Sequence, residues 1–275
     1  MILYRTKQVL YSTLAILAGL CLSLLVHHTL TYLFAIIAGF KPILNLKGVV
    51  NLPVHYKAWT FERVILVHAL PSFLCISIAY IIIQIKRYAF VRFPSIRLFL
   101  FWFALSMTSI FTANMILSFF GYQKFNSDLY RGFALINDWM YFSRFTVIIM
   151  SMISVIMQYY IGTLLIKDFM IFIADQELAE DVLERLKYLI FMLVIPSISG
   201  SMVYFFFTYP QEVEYALLRI GLMSLSMAAV FLVNIGPVDI VLTEIVDIRK
   251  DNPIGIFLLS LFVFVCFWLA FYRYA

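Results

Sequence analysis

The sequence predicts an all-α polytopic membrane protein, a bundle of about six to seven transmembrane helices with a short interfacial β-like loop after the first. Three observations carry that expectation. Hydrophobic residues fill 64% of the 275 positions and charged residues only 13%, with a mean hydropathy of +0.98, far outside the range of soluble globular domains. Seven apolar segments, at 9–38, 64–85, 98–120, 143–166, 188–208, 218–238 and 254–272, reach or approach the ~20 residues a helix needs to cross a hydrocarbon core. The runs are continuous, as from Leu98 to Leu105, whereas the strands of a membrane barrel alternate in polarity. This composition excludes a soluble enzyme.

The first segment follows Arg5 and Lys7 but is too long, and too poor in a small-x-small cleavage site, for a signal peptide, so it is expected to be retained. Within it His27 and His28 are adjacent. A neutral imidazole in hydrocarbon leaves a donor and an acceptor to satisfy, so intramembrane histidines are candidates for a site unless helix contacts absorb them. After it, apolar residues alternate at 44 and 46 and again at 50, 52 and 54, a strand-like period expected to lie at or dip into the interface. Tyr56 and Trp59 are expected to anchor that loop at headgroup level. The second segment carries His68 and the Leu70-Pro71-Ser72 break, where proline frees a carbonyl and a kink or a neighbour is expected.

The next connection holds Lys86, Arg87, Arg92 and Arg97 with no acid, which by itself reads as cytoplasmic. Between the third and fourth segments, Asp128 and Asp138 have Lys124, Arg131 and Arg144 nearby and read as solvated loop pairs. An amphipathic surface helix is expected at 168–187, with Asp181 and Arg185 as an i,i+4 pair. It serves either to dock a basic partner or simply to extend the fourth or fifth span into solvent. The fifth segment contains Pro196-Ser197-Ile198-Ser199-Gly200-Ser201, small residues that let helices approach. The sixth ends at Asn234-Ile235-Gly236-Pro237-Val238-Asp239, where glycine and proline unwind the helix beside a carboxylate. Asn252-Pro253 opens the last.

Cys21, Cys75 and Cys266 are odd in number and fall inside apolar segments, so they read as packers rather than a disulfide framework. No Asn-x-Ser/Thr sequon, glycine-rich phosphate loop, CxxC or internal repeat occurs. The net charge of +5 is dispersed, so no nucleic-acid partner is expected. The chain therefore reads as one integral membrane domain, 1–275, in three parts: 1–85, 86–217 and 218–275. With seven spans and the N-terminus inside, inner segments hold 11 of the 20 basic residues and the other side 9, which leaves orientation undecided.

The segment Val26-His27-His28-Thr29-Leu30-Thr31-Tyr32-Leu33 through Gly39-Phe40 resembles the zinc-binding helix of site-2 proteases, intramembrane metalloproteases whose pattern is HExxH followed by small and apolar residues. In that pattern two histidines one turn apart hold zinc and the glutamate activates water. His27 matches the first ligand, His28 stands at the glutamate and Thr31 at the second histidine. The strand-like segment 41–55 and the helix carrying His68 and Pro71 are similar to that family's β-loop and following helix, and Asn234 to Asp239 resembles its NPxxDG motif with Asp239 at the third ligand. The resemblance covers roughly the first 80 residues plus 234–240.

Without a carboxylate at position 28 or a histidine at 31, the resemblance implies a catalytically inactive relative. Such a chain is a membrane-embedded scaffold or binding subunit, with no catalytic residue, no cofactor, and the bilayer and other integral membrane proteins as partners. Its former groove would use His27, His28, His68, Asn234 and Asp239 as polar contacts. A divergent zinc enzyme with ligands from His27, His28, His68 and Asp239 is one alternative. A transporter or channel subunit using Asp239, Asn234, Asn114 and the histidines is the other. The expected location is a bacterial inner membrane.

Overall fold

The computed structural model describes residues 2–45, 48–53, 56–89, 94–120, 135–165, 169–172, 181–208 and 213–235, and pieces of 255–265. Helix α1 spans Ile2–Ile37 and is followed by strands β1 (Ile43–Asn45) and β2 (Gly48–Val50). Helix α2 (Phe61–Val64) continues through a π-helical turn, Ile65–Ala69, into α3 (Leu70–Ala89). Then come α4 (Pro94–Phe120) and α5 (Arg144–Leu164). Helix α6 (Val182–Leu189) leads through a second π-helical turn, Ile190–Val194, into α7 (Ile195–Thr208), and α8 covers Val213–Ile235. Six of the described helical segments are long and apolar enough to cross a membrane, so the chain is an all-α, multi-pass integral membrane protein. The seventh expected span is described only between 255 and 265, where the described pieces are helical.

Helix starts follow local chemistry. Thr60, Ser143 and Asp181 are N-caps whose side-chain oxygens accept from the amides of Arg63, Thr146 and Leu183, filling donors a first turn leaves open. At the other end of α1, Gly39 takes φ +84° while the Phe40 amide bonds the Ala35 carbonyl at 3.0 Å, a Schellman closure that needs the left-handed residue.

Both π-helical turns sit directly ahead of a proline. Pro71 and Pro196 lack an amide hydrogen and their rings crowd the carbonyl four residues back; widening the preceding turn, with Leu70 N–H on Ile65 O and Ile195 N–H on Ile190 O, relieves that crowding. The carbonyl that Pro196 leaves open is that of Met192, and the Ser12 hydroxyl of α1 donates to it at 2.7 Å. The proline thus creates an interhelical acceptor.

Helix α4 is the most enclosed span and packs against α1, α3, α5 and α8. Gly19 lets α1 lie on it: a Cβ there would stand 2.9 Å from the Phe103 amide nitrogen. Contacts fix the relative directions. Ser12 meets Trp102 and Ser23 meets Ser106, so α1 and α4 run parallel. Arg185 meets Asn234 while Tyr204 meets Arg219, so α6–α7 and α8 run antiparallel. Successive spans alternate, which puts the 41–60 hairpin and the start of α4 at opposite ends of the bundle.

The expected strand-like loop is an antiparallel hairpin with Ile43 opposite Val50. Its base is tied by the Asn51 side-chain amide donating to Lys41 O at 3.0 Å. Trp59 does not face the headgroups as expected: it is buried, its indole N–H on Pro53 O at 2.9 Å and its ring against Phe40 and His68, each 4.8 Å away between centroids. Packing under the hairpin offers this ring more apolar contact than the interface does. Of the helix expected at 168–187, the described residues 169–172 are buried, and those from Asp181 begin the fifth span, the second of the two readings offered for it, with Arg185 and Tyr188 buried rather than on the surface. Asp181 caps the helix instead of pairing with Arg185.

A buried polar layer as candidate functional site

Positions 23, 27 and 31 follow one another at four-residue spacing, so α1 presents Ser23, His27 and Thr31 as one stripe. That stripe faces hydroxyls and amides of neighbouring spans. Ser23 Oγ and Ser106 Oγ of α4 are 2.6 Å apart. One turn on, His27 Nε2 lies 3.4 Å from Ser72 Oγ of α3, which accepts from the Asn114 side-chain amide of α4 at 2.8 Å. Thr31 donates back to the His27 carbonyl at 2.9 Å, a local bond common for threonine in helices. His27 and Thr31 are buried and His28, Ser23 and Ser72 fully so.

At the centre stands Arg219 of α8, with no exposed surface. Its Nη2 donates to Ser23 Oγ and Ser106 Oγ, each at 2.7 Å, and to Ser106 O at 3.3 Å. Nη1 donates to the Tyr204 hydroxyl of α7 at 2.7 Å and Nε to Ser109 Oγ at 3.3 Å. The rings of Tyr204 and Tyr215 flank the guanidinium, 5.6 and 5.7 Å from it, adding the attraction of aromatic faces for a cation. One side chain therefore joins α1, α4, α7 and α8. No carboxylate among the described residues pairs with it. A buried cation held only by neutral dipoles is costly, and intramembrane charge of this kind marks functional sites.

The sequence reading did not single out Arg219. A sixth span drawn at 218–238 puts it at the segment's edge, where a long basic side chain reaches water. The helix in fact begins at Val213, which places Arg219 about 9 Å from its start along the axis. The available signal was local: Tyr215 lies one turn before Arg219, and Ser106, Thr108 and Ser109 stand together in a predominantly apolar segment.

Of the expected contacts, His27 and His28 lie in this layer, their rings 5.8 Å apart between centroids. Both are buried among the surrounding helices. His68 is separated from them in role, stacked on Trp59 beneath the hairpin. Asn234 is not brought to the histidines: it lies 15 residues, or about 22 Å, beyond Arg219 on α8, toward the start of α1. There its carbonyl accepts Arg185 Nε at 3.0 Å and its side-chain amide donates to Val230 O at 2.7 Å. Asp239 lies outside the described residues.

The described donors do not fit zinc. Tetrahedral coordination needs ligand atoms converging at about 2.0–2.1 Å on one point, yet His27 turns Nε2 toward Ser72 and no three His, Cys, Asp or Glu side chains among the described residues converge. Comparison with known proteins finds no family model, no curated protein and no solved structure that matches the chain.

Proposed function

We propose that this chain is a non-catalytic integral membrane subunit of a bacterial inner membrane, related in plan to site-2 proteases and acting as a scaffold or binding partner for other membrane proteins. One observation supports the reading: the side chains at the two ligand positions of the turn that resembles a zinc helix are each engaged within the bundle. His27 is engaged by Ser72, Ser72 by Asn114, and Thr31, at the position of a second ligand, bonds its own helix. A hydrolytic site needs a base and an open metal position, and Thr31 supplies neither a metal ligand nor a base. The histidines are buried, so partners are met on the lateral faces. There Phe145, Met152, Ile153, Ile156 and Tyr160 of α5 are each more than half exposed, a wholly apolar and aromatic face suited to lipid or another span.

The test is purification from native membranes in mild detergent, with elemental analysis for zinc. The reading expects a larger assembly that retains defined membrane-protein partners and contains no stoichiometric zinc. A lone polypeptide carrying one zinc, lost in His27→Ala and in Asp239→Ala, would refute it in favour of a divergent metalloenzyme.

A further inference from the structure

We infer that the end of the bundle where α1 and α4 begin and α3 finishes binds the phosphodiester headgroups of anionic phospholipids. The first ground is charge. Residues 1–7 and 86–97 hold Arg5, Lys7, Lys86, Arg87, Arg92 and Arg97 and no acid. The only carboxylate before Asp128 in the chain is that of Glu62, and it lies in α2 at the opposite end. The acids that belong to this end by chain order follow α5 and α8, so α1, α3 and α4 bring only positive charge to it. Basic clusters of this size beside a span attract anionic lipid.

The second ground is depth. Ser106 stands twelve residues from the start of α4 and fourteen from its end. Arg97 lies nine residues from Ser106 toward the start, or about 13.5 Å, close to the ~15 Å half-thickness of a hydrocarbon core. Antiparallel α3 meets α4 where Asn114 donates to Ser72. Fifteen residues along α3 from Ser72 reach Arg87, and seventeen back along α4 from Asn114 reach Arg97, so the two positions differ in depth by about 3 Å. Parallel α1 meets α4 where Trp102 donates to Ser12, and five residues outward from each lie the exposed Lys7 and the buried Arg97. Three neighbouring spans therefore set cations close to the boundary where phosphates lie, and the field of the buried one is weakly screened.

The third ground is the surface beside these charges. Position 87 continues the register of Tyr80 and Gln84 on α3, both exposed, at steps of four and three residues. Tyr80 and Ile81 are more than half exposed and Ile85 nearly so, which carries an apolar outer face up to the basic positions. A free phosphate would use the charge alone. A phospholipid uses both, its acyl chains on the apolar face and its phosphodiester on the cations, and lipid is therefore the occupant. The site stands independently of the subunit reading.

The experiment is thermal unfolding of the purified full chain in a neutral detergent, with phosphatidylglycerol, phosphatidylcholine or sodium phosphate added at one ionic strength. Phosphatidylglycerol is expected to raise the midpoint by several degrees, saturably, and the other two to leave it in place. Lys7→Gln and Arg87→Gln are each expected to raise the half-saturating phosphatidylglycerol concentration about fivefold, and either can be read without the other. Lys41→Gln with Lys57→Gln, at the hairpin end, is expected to leave it unchanged. Equal gains in the two lipids overturn the proposal, as does the same gain from sodium phosphate. So does a phosphatidylglycerol response that survives both Lys7→Gln and Arg87→Gln, or one lost equally at the hairpin end.

Discussion

Gly162→Ala tests the packing logic most directly. Helices α5 and α8 touch at this residue, where an added Cβ would stand 2.3 Å from the Ser226 carbonyl oxygen and 2.9 Å from its C and Cα atoms. The obstacle is backbone, so the helices must part by roughly 1 Å, a cost of about 1–3 kcal/mol for overpacking. The same movement stretches two bonds across the contact, Gln158 Nε2 to Ser226 Oγ at 2.9 Å and Ser226 Oγ to Gln158 O at 2.8 Å, each worth about 0.6 kcal/mol between membrane helices. The sum is about 2–4 kcal/mol, of which alanine's better helix propensity returns at most ~1 kcal/mol. A net loss of about 1–3 kcal/mol follows, read by reversible unfolding in mixed micelles. Gly221→Ala is the control. It meets nothing within 4 Å and is expected to be neutral or stabilising. Gly162→Ala as stable as the wild type would refute the close crossing of α5 and α8.

Three further outcomes are expected. Ser23→Ala and Ser106→Ala each remove an acceptor of Arg219 Nη2 and should each lower stability by about 1–3 kcal/mol. The double variant should lose less than the sum, because both act on one nitrogen; additivity in the cycle would show that they do not share it. In a Cys266→Ser background, with Cys21 and Cys75 buried, an impermeant thiol reagent should label Lys57→Cys and Leu183→Cys, both exposed positions, from opposite faces of sealed vesicles; labelling of both from one face would overturn the alternating topology. Burial raises the Asp138 carboxyl above its ordinary value of 3.8. For an acid so shifted, the stabilising contribution is complete below the unfolded value and is lost as pH rises through the folded one. The wild type should therefore weaken slightly relative to Asp138→Asn across that window, the effect being small because the side chain is largely exposed.

The helical bundle, the hairpin and the breaks at Pro71 and Pro196 were readable because each rests on local chemistry. Apolar runs of spanning length admit only a helix in lipid, period-two alternation marks a strand, and proline disturbs its own preceding turn wherever it sits. The histidine pair was also visible, since polar residues stand out in an apolar run. What the runs left open was which faces meet. Trp59 reads as an interface anchor until Phe40 and His68 close over it, and Asn234 reads as a partner of the histidines until the antiparallel course of α8 sets it beside Arg185.

Arg219 shows the division most clearly. By sequence alone it sits near the end of a hydrophobic segment, where its charge needs no explanation. Only tertiary structure, by starting α8 at Val213 and assembling Ser23, Ser106, Ser109 and Tyr204 from three other helices, makes it the buried centre of the protein. The physical reason is range: hydropathy acts within one segment of chain, whereas satisfying a buried cation needs acceptors nearly 200 residues apart in sequence.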